Sequence, residues 1–363
     1  MSLAAGGTER VTLAGSAGGP LDVERLERDL ASMWKAASDR TGGTAVSRAC
    51  SSTLIALFPP PAPPGTEEIV AALSRRHPCR VLRVERGDAG GPPLTASAGA
   101  VCHLRGDGQG LICTEEIRIV VAPGAEERIP SAVRSLSLGG LPVVLLALDP
   151  AALATREFAA TAADAHCVVV ESASARDLVA ERPAGARDLA WSHGAALRRA
   201  LAVAADDRTA AQVLEQSVRI EVQYGGDGAP PAAALLLAGW VAAVSGRTAI
   251  GRDEAPPRAA TVRRPASTGS ASAARCEFHP RPGGPSGLRG IAAFDEGGRR
   301  VQATLDAGAH AAAIEGPAGT WRMTLRPRDR ADEVIEEIHR HLPPPAFAAA
   351  LACARALGRS LEA

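Results

Sequence analysis

Lysine is all but missing from the chain: Lys35 is the only one, and arginine supplies the rest of the positive charge. A G-x-x-x-x-G-K-[ST] loop needs its lysine to reach nucleotide phosphates, so a Walker-type ATPase is excluded. Net charge is missing too, with 40 basic and 40 acidic residues interspersed. No basic stripe stands out, and neither nucleic acid nor an anionic membrane is expected as a partner. The seven cysteines are odd in number and contain no C-x-x-C pair. That spacing speaks against a zinc site and a secreted disulfide framework, and for reduced thiols. The longest apolar run, 232–244, falls short of the roughly 20 residues that span a bilayer, and no apolar stretch behind a basic cluster marks a signal peptide. A soluble, cytoplasmic protein is expected.

Aromatic residues make up 3% of the chain. The core must therefore be built from Ala, Val, Leu and Ile, and each of the four tryptophans becomes a large packing anchor. The motifs G-x-S-x-G and H-E-x-x-H are absent, and the glycines at 106, 108 and 110 form a G-x-G-x-G run between two strands instead of a G-x-G-x-x-G loop entering a helix. No catalytic residue, metal ligand or cofactor is predicted.

What is present is a globular composition, 46% hydrophobic over 363 residues, enough for two domains. The run Leu111-Ile112-Cys113-Thr114-Glu115-Glu116-Ile117-Arg118-Ile119-Val120-Val121 is the densest strand former, and it reads as the middle of a sheet. Its expected neighbours are the apolar runs 141–147 and 167–170, joined through a helix at 129–138. An N-terminal tail and helix over 1–44 carries Val23, Leu26, Leu30 and Trp34 on one face, with Glu24, Arg25, Glu27 and Arg28 towards solvent. Strand, helix and strand follow around 52–58, 66–76 and 80–84. The expected fold is an α/β domain with a mixed sheet at 45–175, then an α+β domain with a largely antiparallel sheet at 176–363, interrupted by a flexible loop near 251–274.

Four constellations carry candidate chemistry. Adjacent Glu115 and Glu116 point to opposite faces of a strand, so one is expected at a buried seam and the other solvated or ion-paired, not a catalytic pair. His77-Pro78-Cys79 invites a Cys/His nucleophile, but neighbours in sequence rarely make such pairs and a helix-ending turn accounts for them. His339 and His341 suit a helix C-terminus without any metal. The Asp107-Gly108 pair predicts a two-residue hairpin turn that sets Cys102 opposite Cys113. These two are either a labile redox pair or two buried thiols.

Several segments in order resemble the OpcA-type glucose-6-phosphate dehydrogenase assembly proteins: Ser52-Thr53-Leu54-Ile55-Ala56-Leu57, Arg76-His77-Pro78-Cys79-Arg80, Cys113-Thr114-Glu115-Glu116-Ile117, Leu141-Pro142-Val143, Cys167-Val168-Val169-Val170-Glu171-Ser172, Asp188-Leu189-Ala190-Trp191 and Ala234-Leu235-Leu236-Leu237-Ala238-Gly239-Trp240-Val241. The resemblance covers roughly 45–250. It departs from the family's pattern at Val144-Leu145-Leu146, where tryptophans are usual, at Glu171 in place of Asp and at Ala190 in place of Asn. The resemblance implies a non-catalytic partner of glucose-6-phosphate dehydrogenase, with His77, Arg80, Glu115, Glu116, Asp188 and Trp191 as partner-facing candidates. The alternative is a sugar-phosphate-binding sensor or enzyme that holds phosphate through Arg80, Arg118 or Arg134. Trp191 or Trp240 is also expected to be buried between the helix after Asp188 and the helix at 232–244.

Overall fold

The computed structural model describes residues 10–13, 15–40, 46–48, 50–58, 66–104, 111–247, 249–251, 259–263, 273–282, 286–306, 308, 310–340 and 343–362. The Asp107-Gly108 turn, most of the loop near 251–274 and His341 lie outside these residues. The chain forms two compact units, one of residues 1–170, 182–187 and 330–339, the other of residues 171–181, 188–329 and 340–363. The helix Arg330–His339 thus belongs to the first unit although the expected boundary assigns it to the second.

The first unit is α/β. Its mixed sheet runs in the order Arg10–Leu13, Leu94–Leu104, Leu111–Val121, Arg80–Arg86, Thr53–Phe58, Val143–Ala147, Cys167–Val170, Arg187–Asp188, with Gly19–Pro20 and Val46–Arg48 pairing off this path. Leu111–Val121 is flanked by Leu94–Leu104 and by Arg80–Arg86, not by the two apolar runs expected beside it. The strand-helix-strand unit from Thr53 to Arg86 inserts its two strands between them, and Thr53–Phe58 takes the more central place. Parallel pairing needs a crossover, and the helices Thr66–Arg76 and Ile129–Leu136 supply it. Helix Val23–Arg40 buries Leu26 and Leu30, the apolar stripe its spacing predicts.

The second unit is α+β. Its sheet runs Ala249–Gly251, Ala259–Arg263, Ala273–Arg281, Arg219–Gly225, Gly287–Phe294, Arg300–Asp306, Ala311–Gly316, Gly319–Thr324, antiparallel throughout except between Arg219–Gly225 and Ala273–Arg281. Alternate residues such as Ile220, Val222 and Tyr224 enter the core, while Glu221 and Gln223 face away from it. Helix Ala232–Val244 is apolar on nearly every side, and ten of its residues are buried. It crosses helix Pro345–Glu362 at Gly239, where a Cβ would stand 2.5 Å from the Ala350 carbonyl oxygen and 2.9 Å from the Ala354 nitrogen. Only a residue without a side chain fits that crossing.

Candidate functional site

Among the described residues six strands of the first sheet run parallel, and the order of the five on its main path places a switch point beside Thr53–Phe58. From it the chain continues to Arg80–Arg86 on one side and later to Val143–Ala147 on the other. Open α/β sheets bind ligands outside the carboxyl ends of such strands. A cavity of about 320 Å³ lies there, floored by Leu57, Val84, Val121 and Ile129. Its rim carries Glu85, Glu126 and Glu157 against a single Arg86, and Arg86 is paired with Glu126 at 3.3 Å. Glu85 is paired in turn with Arg83 at 3.3 Å and Arg118 at 2.7 Å, so the rim's charge is largely balanced and the apolar floor suits an apolar group.

The three arginines of the phosphate-binding alternative are each ion-paired within the unit. Arg118 pairs with Glu85 at 2.7 Å, and Arg134 with Asp164 at 2.5 Å. Arg80 is the knot of the unit. Its Nε donates to Glu115 Oε2 at 2.8 Å, its Nη1 to Glu27 Oε1 at 2.5 Å and to the Leu136 carbonyl at 2.9 Å, and its Nη2 to Glu27 Oε2 at 3.1 Å. One guanidinium therefore ties together the first helix, the sheet and the C-terminal end of helix Ile129–Leu136, where a cation is favoured. Burial alone would lower the Arg80 pKa, but the bonds to Glu27 and Glu115 outweigh it and hold the group above its ordinary value. Trp34 completes the network by donating its indole N–H to Glu115 Oε1 at 3.0 Å.

The placement of Arg80 and Glu115 corrects the partner-facing expectation for both. Arg80 is 1% exposed and Glu115 0%, because leaving either charge unpaired in the interior would be costly and each satisfies the other. Glu116, on the opposite face of the strand, pairs with Arg83 at 3.1 Å and stays partly exposed. Glu27 was read as solvent-facing, yet it closes the network. It lies seven residues before Trp34 and so on the same helix face, the one signal for this role that the sequence carries.

Asp188 and Trp191 are also interior. Asp188 caps helix Leu189–His193 by accepting from Ala190 N at 3.0 Å, and it accepts from Ser172 N at 3.0 Å and Ser172 Oγ at 2.6 Å. Trp191 is buried among the core residues of the second unit, as expected for at least one of the two tryptophans, while Trp240 is partly buried. Both side chains are therefore buried within the fold, against the expectation that they lie on its surface. His77 keeps partial exposure and meets His339 edge to face at 4.4 Å between ring centroids. Its pKa is lowered, first by burial and then by His339 and Arg76. Cys79 is buried and its thiol is pushed up to about 12, chiefly by burial, so it is no thiolate nucleophile.

The pairing of the hairpin strands sets Cys102 opposite Cys113, the register that the Asp107-Gly108 turn predicts. Cys113 is disulfide-bonded, which corrects the expectation of reduced thiols at that position. Cys50, Cys79, Cys167, Cys276 and Cys353 are not disulfide-bonded. Among the described aromatic residues Trp321 is conspicuous at 38% exposed, because it stands on the terminal strand of the second sheet. No described helix is long and apolar enough to cross a membrane.

Two family profiles match the chain in tandem. One, described as the glucose-6-phosphate dehydrogenase subunit N-terminal domain, covers residues 70–186, and the other, described as the C-terminal domain of that subunit, covers residues 184–351. A solved structure of an oxidoreductase from Sinorhizobium meliloti is similar over 87% of this chain and 90% of that one, at 12% identity and a TM-score of 0.43, too weak a likeness to carry an argument. No curated protein matches the chain. With both domain types present in order over residues 70–351, the chain belongs to the OpcA-type glucose-6-phosphate dehydrogenase assembly family.

Proposed function

We propose that the chain is a non-catalytic cytoplasmic subunit that binds glucose-6-phosphate dehydrogenase and promotes its assembly or activity, at the entry to the oxidative pentose phosphate pathway. The observation that carries this reading is the tandem match to the two domains of a dehydrogenase subunit. Local geometry supports it. The ionisable residues that drew attention in the sequence are spent on one another: Arg80 on Glu27 and Glu115, Arg83 on Glu116, Arg118 on Glu85. A nucleophile with an oriented base is not what these groups build.

A subunit of this kind acts by linkage. It shifts the dehydrogenase between states only by binding one more tightly than the other, and about 1.4 kcal/mol of preference moves that equilibrium tenfold. Purified chain is expected to form no NADPH from glucose 6-phosphate by itself, and to raise the rate or lower the half-saturating substrate concentration of the dehydrogenase when the two are mixed. Turnover by the chain alone, or an unchanged dehydrogenase across a titration to excess, would count against the reading.

A further inference from the structure

We propose that the outward face of the second sheet holds a divalent first-row transition ion, with Zn²⁺ as its simplest representative, between Glu221, Glu277 and His279. Strands Arg219–Gly225 and Ala273–Arg281 run parallel, with Glu221 opposite Glu277 and Gln223 opposite His279. Because side chains alternate, these residues share the face turned away from the core that Ile220, Val222, Cys276 and Phe278 fill. The register sets like against like, Arg219 opposite Arg275 and Glu221 opposite Glu277. Carboxylates placed directly across a strand pair repel.

Two ion pairs offset that repulsion in part, Arg219 to Glu221 at 3.2 Å and Arg275 to Glu277 at 2.9 Å. Both arginines are nearly half exposed, so each pair is weak, although the Arg219 guanidinium also lies over the Phe294 ring, 4.0 Å from its centroid. His279 is what those pairs leave unexplained. The side chain is 44% exposed, but its Nε2 atom is shielded from solvent without a hydrogen-bond partner among the described residues, and it lies 3.6 Å from Glu277 Oε2, within ion-pair reach but beyond hydrogen-bonding range.

One donor atom from each of the three residues lies within 4.8 Å of the others. Ligands about 2.0–2.1 Å from a tetrahedral Zn²⁺ stand roughly 3.3–3.4 Å apart, so His279 and Glu277, at 3.6 Å, are already near that spacing, and Glu221 reaches it by a side-chain rotation. Ala292 opposite Glu221 and Ala259 opposite Glu277 add no bulk on either side. One imidazole with two carboxylates favours a transition ion over Ca²⁺ or Mg²⁺, which prefer oxygen alone, and water would complete the shell.

Calorimetric titration of the metal-free full chain with Zn²⁺ tests this apart from any effect on the dehydrogenase. The expected result is one ion per chain, with affinity reduced at least about tenfold in His279→Gln and in Glu277→Gln, since loss of even an outer-shell partner costs 10–100-fold. Cys50→Ser should bind as the parent does, and circular dichroism in chelator should show both ligand variants folded. Absence of binding by the parent chain, parent-like affinity in either ligand variant, or loss of binding in Cys50→Ser would each overturn the proposal.

Discussion

Arg80→Met is expected to destabilise the first unit by about 3–5 kcal/mol, the cost of breaking a buried ion pair by removing one partner. The substitution keeps most of the side chain's bulk and deletes its charge, so the loss is electrostatic and not a cavity. Glu27 is partly exposed and can turn to water, but Glu115 is fully buried and loses the guanidinium that balances its charge, while keeping the bond from the Trp34 indole. The Leu136 carbonyl loses its donor as well. Removing the stranded charge in the double variant Arg80→Met, Glu115→Gln should return part of the stability, because a buried pair is worth less than the penalty for half of one. Chemical denaturation reads both outcomes. A midpoint change equivalent to less than about 1 kcal/mol for the single variant would mean that Arg80 reaches solvent and does not bind the network.

Trp191→Ala is expected to cost the second unit about 3–5 kcal/mol, within the range for truncating a buried large aromatic. The ring is 4% exposed and meets Phe347 edge to face at 5.6 Å between centroids. The Arg198 guanidinium lies 3.4 Å from its centroid and donates to the Trp191 carbonyl at 2.6 Å. An aromatic-poor core has few other rings to take up the lost contacts, and Arg198 would lose its cation–π surface. Trp191→Phe, which keeps a ring in place, should cost less than half as much. If Trp191→Ala left thermal stability unchanged and weakened dehydrogenase binding instead, the residue would be an interface anchor after all.

Short-range rules made part of this legible in the sequence. Alternation along Leu111–Val121 separates buried Glu115 from ion-paired Glu116, and counting outward from Asp107-Gly108 yields the Cys102 to Cys113 register. The unbroken apolar run at Ala232–Val244 is the buried central helix, and proline marks its start. Strand order was not legible, because the neighbours of Leu111–Val121 depend on where two crossovers return, and each strand's own pattern is the same in either order.

Burial of charge was the other blind spot. Arg80 and Glu27 stand 53 residues apart, and no periodicity reveals that one closes on the other. Resemblance alone marks Asp188 and Trp191 as partner-facing, and a shared segment does not distinguish a residue that holds a cap from one that meets a partner. The Arg330–His339 helix follows a meander that belongs to the second unit, so only its contacts place it with the first.

The central claim is that this chain acts by binding the dehydrogenase, and sedimentation velocity on the dehydrogenase with and without the purified chain tests it most directly. The account predicts a faster-sedimenting species that contains both proteins and grows with added chain until it saturates, accompanied by a redistribution among the oligomers of the dehydrogenase. Two independent boundaries, each unchanged by the presence of the other protein at concentrations well above those of the activity assay, would contradict it.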